Sequence, residues 1–141
     1  TIVFRSLIVK FLRINVVAGI IINQNKILIG KRKDKDIGGG KWEFPGGKIE
    51  VGETNSEALE RELYEELGIS VKIGKELMNY EHVFKTTIYN ITFMEITDYE
   101  GEICNNAHSE IKWVKFSNLP EYDFISGDDR FIQSLIKSKS E

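Results

Sequence analysis

Three carboxylates near the middle of the chain have the spacing of a cation site. Glu62, Glu65 and Glu66 stand at positions i, i+3 and i+4, and on an α-helix such residues lie on one face, within a turn of each other. Divalent cations such as Mg²⁺ prefer oxygen ligands, which clustered carboxylates supply. A glutamate-rich helix is more often only a solvated face, so the spacing by itself leaves both interpretations open.

The helix that must present these glutamates has a recognisable start and end. Thr54 followed three residues later by Glu57 matches a capping box, and Gly68 followed by apolar Ile69 matches a left-handed C-cap. We therefore predict a helix over residues 55 to 67. The arc beside the glutamates is apolar and predicts the packed face, which consists of Leu59, Leu63 and Leu67.

A glycine turn precedes this helix, in the run Phe44-Pro45-Gly46-Gly47. Two glycines allow a sharp turn and let the backbone approach a ligand or a metal without a side chain in the way. Paired glycines are usually only a turn. Their position directly ahead of the glutamate helix favours a binding role.

The stretch from Gly47 to Ile69 resembles the signature of a known family. It matches the Nudix box, GX5EX7REUXEEXGU with U aliphatic, at every fixed position. The preceding run WEFPGGKIE resembles the MutT-like branch, whose members hydrolyse nucleoside triphosphates. A weaker resemblance extends from about Asn15 to about Leu135 and so covers nearly the whole chain.

The remaining sequence predicts an α/β domain. Residues 14–22 and 26–32 are rich in β-branched types and predict a hairpin, and the glycine-rich residues 33–40 predict a loop. Further strands are predicted at 71–73, 77–84, 86–96 and 112–116, a polar loop at 98–110, and a final amphipathic helix carrying Phe131, Ile132, Leu135 and Ile136. The resemblance implies a Nudix fold, a mixed β-sheet sandwiched between the Nudix-box helix and the C-terminal helix.

Length and composition predict one domain without a polymeric or membrane partner. The 141 residues suffice for one core, so we expect a single Nudix hydrolase domain at residues 13–141, with residues 1–12 as an N-terminal extension of the first strand. The net charge of −3 and the absence of a basic run argue against a nucleic-acid polymer. Charged residues interrupt the apolar start, which argues against a membrane segment. The single Cys104 favours a reducing, cytoplasmic setting, and the fold supports a monomer or a homodimer.

The resemblance implies roles for the box residues. Glu62, Glu65 and Glu66 match the metal ligands, with the backbone carbonyl of Gly46 as an additional oxygen and Mg²⁺ as the cofactor, for which Mn²⁺ is a substitute. Arg61 is expected to orient a catalytic glutamate through hydrogen bonds. Glu53 is expected to support the loop and the helix, with direct metal contact as the weaker alternative.

One position departs from the MutT-like pattern and leaves the general base open. Such proteins commonly carry a glutamate six residues before the tryptophan that matches Trp113, and here that position is Ala107. Either Glu110 or Glu102 reaches in from the same loop, or the box glutamates act alone. His108 is expected to be a bystander, as loop histidines usually are.

Substrate contacts are predicted from four residues. Arg32 resembles the arginine that holds phosphate in MutT-like enzymes, although a solvent-facing arginine at a strand end is equally common. Strand alternation places Phe44 and Glu43 on opposite faces, so the Phe44 ring either stacks on a nucleobase or packs in the core. Asp128 matches the position of a base-reading asparagine, but an ionised carboxylate only accepts hydrogen bonds, and helix capping is the alternative role.

The resemblance therefore implies a Mg²⁺-dependent nucleoside triphosphate pyrophosphohydrolase of MutT type. Oxidised (d)NTPs such as 8-oxo-dGTP are the first expected substrates, and the products are the monophosphate and pyrophosphate. A (d)CTP or modified-dCTP pyrophosphohydrolase is the nearest alternative. A catalytically silent Nudix fold that binds a nucleotide as a sensor is the alternative of another class.

Overall fold

The structure is a computed structural model that describes residues 10–140. Within these residues the chain forms β1 (Leu12–Asn23), β2 (Lys26–Lys31), β3 (Trp42–Glu43), β4 (Gly46–Lys48), α1 (Asn55–Leu67), β5 (Ser70–Phe84), β6 (Thr87–Glu100), β7 (Glu110–Lys115), a 3₁₀ helix (Phe116–Glu121) and α2 (Asp129–Ser140). No helix in residues 10–140 is both long enough and apolar enough to cross a membrane. Most of the predicted extension, residues 1–9, lies outside the described residues, and Leu12 already belongs to β1.

The sheet is mixed, as predicted, because its central pair is parallel. β1 runs parallel to β6 from Leu12 opposite Thr87 to Ile21 opposite Ile96, and β5 pairs antiparallel with the far side of β6. On its other edge β1 pairs antiparallel with β4 and, at its end, with β2. β2 in turn pairs antiparallel with β3 and β7, so the glycine turn lies against the middle of β1.

The two helices cover opposite faces of this sheet, which confirms the predicted sandwich. Side chains alternate across a strand, and in β1 Val17 and Ile21 join the cluster that contains the three leucines of α1. Ala18 and Ile20 point the other way and join a cluster that contains Phe131 of α2. Burial of these apolar faces fixes α1, with its glutamates, against the sheet.

The ends of α1 lie where the sequence predicts them. The Thr54 hydroxyl oxygen accepts from the N–H of Glu57 at 3.1 Å, and the Glu57 carboxylate accepts from the N–H of Thr54 at 2.9 Å. Gly68 adopts φ 70°, a left-handed conformation, and its N–H donates to the carbonyl of Tyr64 at 2.9 Å. The predicted helix of residues 55–67 is therefore confirmed.

The predicted break between two strands at 73–77 is wrong. β5 is one long strand with register shifts between Lys72 and Met78. A Cβ added at Gly74 would lie 2.3 Å from Oε1 of Glu95, so the glycine permits close contact with β6 and the bulges absorb the irregular alternation. The predicted loop at 98–110 also begins later, because Ser70 pairs with Glu100 and extends β6.

Candidate metal and phosphate site

Arg61 connects the loop after β4 to helix α1. Its Nε donates to Oε2 of Glu53 at 2.7 Å and its Nη2 donates to Oε1 of Glu53 at 2.8 Å, a two-bond pair. Nη2 also donates to the carbonyl of Lys48 at 3.1 Å, and Nη1 donates to Oε1 of Glu62 at 3.0 Å. The hydrogen bonds from Arg61 lower the pKa of Glu53 to about 2 and hold Glu62 in one orientation.

The three predicted metal-binding glutamates lie on α1 with different exposure. Glu66 is buried and its Oε2 accepts from the N–H of Gly46 at 3.0 Å, which joins the helix to the glycine turn. Glu62 is largely covered, with 17% of its side chain exposed, whereas Glu65 is 58% exposed and lies 3.6 Å from Arg61. The structure therefore places two carboxylates inside the site and one at its rim.

Burial and neighbouring carboxylates disfavour the charged form of Glu66. Burial above all, together with the carboxylates of Glu43 and Glu62, raises the pKa of Glu66 to about 9. Burial, above all, also raises the pKa of Glu62. Oxygen donors that repel one another in a place with little water are the donor set that a hard divalent cation favours. The residues present therefore fit the divalent metal that the Nudix resemblance implies.

A second network lies beside Glu66 and includes the predicted phosphate arginine. Nη1 of Arg32 donates to Oε1 of Glu43 at 2.9 Å, and Nε of Arg32 donates to the carbonyl of Ile37 at 2.6 Å. Nε2 of His108 lies 2.9 Å from Oε2 of Glu43 and 3.8 Å from Oε1 of Glu66. Glu43 is thus held from both sides, by Arg32 and by His108, and the His108 ring lies between Glu43 and Glu66.

His108 is the site residue that sequence reasoning missed. It is only 5% exposed, and one ligand atom from each of Glu43, Glu66 and His108 lies within 4.8 Å of the others. His108 is therefore buried beside Glu43 and Glu66, a position that the expectation of a bystander in a polar loop did not include. The only sequence signal is its place next to Ala107, in the loop from which a site residue was expected.

The loop carboxylates that were candidate bases do not join this cluster. Glu110 is exposed at the start of β7, where it is opposite Lys31 in the strand register. Glu102 is exposed as well. Neither belongs to the group of Glu43, Glu66 and His108.

Phe44 is a core residue, which corrects the idea that its ring stacks on a nucleobase. It is 4% exposed and packs against three aromatic rings, those of Phe93, Phe124 and Phe131, with centroid distances of 6.2, 5.3 and 5.7 Å. Strand alternation sends Phe44 into the core and Glu43 into the polar network. The opposite faces expected for these two residues are therefore found, with core packing as the outcome for the ring.

Asp128 lies buried between β3 and the start of α2. It is 5% exposed, and its carboxyl accepts a hydrogen bond from the backbone N–H of Phe44. Burial, with smaller effects of Glu43 and Asp129, raises its pKa well above the usual range. The adjoining turn is tied to β5, because the Tyr80 hydroxyl donates to the Gly127 carbonyl. Asp128 is therefore a buried residue close to Glu43, and the turn beside it is held in place by β5.

Comparisons with known proteins agree with this geometry. Residues 17–134 match the model of the NUDIX domain family. The chain is 30% identical over 123 residues to the CTP pyrophosphohydrolase of Escherichia coli K12, covering 87% of this chain and 91% of that protein. It is 33% identical over 123 residues to the 8-oxo-dGTP diphosphatase of Buchnera aphidicola, covering 87% and 93%. A solved MutT structure, from work on Aliivibrio salmonicida and Vibrio cholerae, has 38% identity and a TM-score of 0.76, covering 89% and 98%.

Proposed function

This chain belongs to the NUDIX domain family, and from that premise we propose that it is a Mg²⁺-dependent nucleoside triphosphate pyrophosphohydrolase of MutT type. Water attacks phosphorus, and the products are a nucleoside monophosphate and pyrophosphate. One observation carries the proposal: Glu62 and Glu66 lie against the glycine turn, while Glu43 holds the Arg32 guanidinium beside them. A carboxylate pair next to a fixed guanidinium suits a metal-bound polyphosphate.

Glu62, Glu65 and Glu66 are the proposed metal ligands. The carbonyl oxygen of Gly46 is a fourth, because the N–H of Gly46 bonds to Glu66 and brings this backbone next to the carboxylate. Bound Mg²⁺ supplies positive charge against the polyphosphate and makes an attacking water more acidic. Mn²⁺ takes similar oxygen ligands and is the proposed substitute.

Arg32 is the proposed phosphate-binding residue. Its side chain is 29% exposed, and Glu43 and the Ile37 carbonyl fix the orientation of its guanidinium. A guanidinium with a preset direction binds phosphate oxygens with less loss of side-chain entropy. Glu43 is therefore assigned to substrate binding indirectly, through Arg32.

Because Ala107 stands where a loop glutamate was expected, we propose that Glu62 serves as the general base as well as a metal ligand. Arg61 orients its carboxylate with a hydrogen bond of 3.0 Å, and burial raises its pKa, which strengthens it as a proton acceptor. The loop residue Glu110 is the weaker candidate, because it is exposed on β7. Arg61 and Glu53 act as supports that keep Glu62 in place.

Asp128 is the proposed base-reading residue. Its raised pKa favours the protonated carboxyl, which can donate one hydrogen bond and accept another, as an asparagine amide does. This supports 8-oxo-dGTP as the first substrate to test, in line with the relative named 8-oxo-dGTP diphosphatase. The relative named CTP pyrophosphohydrolase supports the second candidate, (d)CTP or a modified dCTP.

The test is pyrophosphate release with Mg²⁺ across a (d)NTP panel that includes 8-oxo-dGTP, dCTP and CTP. Glu66→Gln should reduce turnover by more than the roughly 10–100-fold that loss of an outer support causes. Glu60→Gln is the matched control, because Glu60 is an exposed glutamate on the same helix, and it should leave turnover unchanged. If wild type binds nucleotides but turns none over, the silent sensor is the correct reading. Equal rates for dCTP and 8-oxo-dGTP would remove the claim of oxidised-nucleotide preference.

The proposed partner is a small nucleotide in a reducing, cytoplasmic setting. Arg32 and the α1 carboxylates suit a single metal-bound triphosphate better than a long polyanion, because the site is rich in carboxylates and its other arginine, Arg61, is already paired with Glu53 and Glu62. Cys104 is a free, exposed thiol, which fits a compartment that keeps thiols reduced.

A further inference from the structure

The loop between β6 and β7 is hydrogen-bonded to both α1 and β2. The N–H of Asn106 donates to the carbonyl of Glu66 at 2.9 Å, and the N–H of Ser109 donates to the carbonyl of Lys31 at 2.9 Å. Asn105 closes the turn, since its side chain accepts from the N–H of His108 at 3.0 Å and donates to the His108 carbonyl at 2.9 Å. His108 is therefore held at a set position between helix and sheet.

The His108 ring occupies space that β2 leaves open only because residue 30 is a glycine. A Cβ at Gly30 would lie 2.6 Å from Cδ2 of the ring, 2.7 Å from Cγ and 2.8 Å from Nε2. Carbon atoms do not approach that closely without displacement. The ring is thus packed flat on the strand backbone, with its edge towards Glu43.

Only one nitrogen of the His108 ring has a hydrogen-bond partner among residues 10–140, and that partner is Glu43. Glu43 already accepts from Arg32 and offers only acceptors, so Nε2 of His108 carries the proton and donates to Oε2 of Glu43 at 2.9 Å. Nδ1 is buried and has no hydrogen-bond partner among residues 10–140. Burying an unpaired ring nitrogen costs stability, so core packing by itself would favour an apolar side chain here.

We propose that His108 is a positioning residue, which acts on the reaction through Glu43 and Arg32. Its N–H fixes one oxygen of Glu43, and the other oxygen of Glu43 then holds the Arg32 guanidinium in the direction that receives phosphate. With both Glu43 oxygens engaged, the cation is left to the proposed ligands Glu62, Glu65 and Glu66. The loop thus contributes an imidazole donor one residue after Ala107, in place of a carboxylate. This inference rests on the proposed function, because Arg32 is taken as the phosphate contact.

Two substitutions of His108 test whether its N–H donor, and not the ring alone, is needed for activity. His108→Phe keeps a planar ring over Gly30 and removes the N–H, so kcat/KM should fall by about 10–100-fold, mainly through a higher KM for the triphosphate. His108→Gln places an amide donor at a similar reach and should restore most of the lost kcat/KM. Tm, measured alongside, should change little for either variant. Equal activity of His108→Phe and wild type, or no rescue by glutamine, overturns the proposal.

A double-mutant cycle tests the route through Glu43. If His108 acts through Glu43, adding His108→Phe to Glu43→Gln should cost little beyond Glu43→Gln alone. Losses that multiply would contradict this route. Should His108→Phe fail to fold, Gly30→Ala serves instead, because its Cβ displaces the ring without removing a polar atom.

Wild-type turnover separates this inference from the proposed function. If wild type hydrolyses no (d)NTP, the same variants are compared by calorimetry for the affinity of the Mg²⁺ complex of dGTP. There His108→Phe should weaken binding and His108→Gln should restore it, although the pyrophosphohydrolase reaction has been excluded. Unchanged affinity in both variants overturns the positioning role by itself.

Discussion

A Cβ atom added at Gly47 would lie 2.5 Å from the carboxyl carbon of Glu62 and 2.6 Å from its Oε1. The Glu62 carboxylate therefore lies directly against the backbone of β4, in space that only glycine leaves open. At the neighbouring Gly46, whose φ is 154°, a Cβ would lie 2.0 Å from the carbonyl oxygen of Val17. The two glycines are thus required for different reasons. Gly47 leaves room for the Glu62 side chain, and Gly46 leaves room for the backbone of β1.

We predict that Gly47→Ala impairs activity more than stability, and that Gly46→Ala does the reverse. In Gly47→Ala the flexible end of Glu62 moves aside, so the fold remains while turnover falls by about 10–100-fold. In Gly46→Ala the clash is with backbone and the conformation is strained, which costs about 1–3 kcal/mol of unfolding free energy. Urea unfolding and pyrophosphate release on both variants check this pair of outcomes. An equal effect of both on Tm would contradict it.

Arg61→Lys should reduce both turnover and Tm, because an ammonium cannot reproduce the paired bonds to Glu53 together with the bond to Glu62. The expected loss of kcat/KM is about 10–100-fold, with Tm lower by several degrees. Arg13→Lys is the matched control, since Arg13 and Glu81 form an exposed ion pair. An exposed ion pair contributes less than about 1 kcal/mol to the free energy of unfolding, so this control should change Tm only slightly. Normal activity of Arg61→Lys would show that the pairing with Glu53 is dispensable.

The Glu53 carboxylate predicts one component of acid unfolding. Its folded-state pKa is lowered to about 2 by Arg61, from about 4.5 in the unfolded chain. The stability it contributes is therefore fully present above pH about 4.5 and is lost as the pH falls towards 2. Tm measured between pH 2 and 7 should fall more steeply for wild type than for Glu53→Gln over this window. Parallel curves would show that Glu53 keeps its ordinary pKa.

Asp128 predicts the opposite pH dependence. Its folded-state pKa is raised by burial, so the folded chain holds this proton more tightly than the unfolded chain, and stability decreases as the pH rises above about 3.8. Asp128→Asn removes that titration and can still accept from the Phe44 N–H. Its Tm should exceed that of wild type by an amount that grows from pH 4 to pH 8. Asp123→Asn, at an exposed aspartate, should show no such growing difference.

The helix that carries Glu62, Glu65 and Glu66 was predictable because its information is local. The i, i+3, i+4 spacing, the capping box at Thr54 and the left-handed Gly68 act within one helix, and the structure places that helix at residues 55–67 as predicted. The mixed sheet and its two flanking helices followed from the family resemblance and from apolar segments of the expected length. Strand boundaries in β5 and β6 were missed, because bulges break the alternation that defines them.

The sequence by itself determined the reaction class, since the Nudix box fixes which carboxylates and which glycines stand together along one turn and one helix. Only the tertiary structure decided how the rest of the site is assembled. Phe44 enters the core while Glu43 meets Arg32 and His108, and these three come from β3, the end of β2 and a loop 65 residues beyond Glu43. The periodicity of apolar residues along the sequence does not predict contacts between residues so far apart. The arrangement arises because β2 pairs with both β3 and β7, which brings residues that are distant in sequence close to one another and to α1.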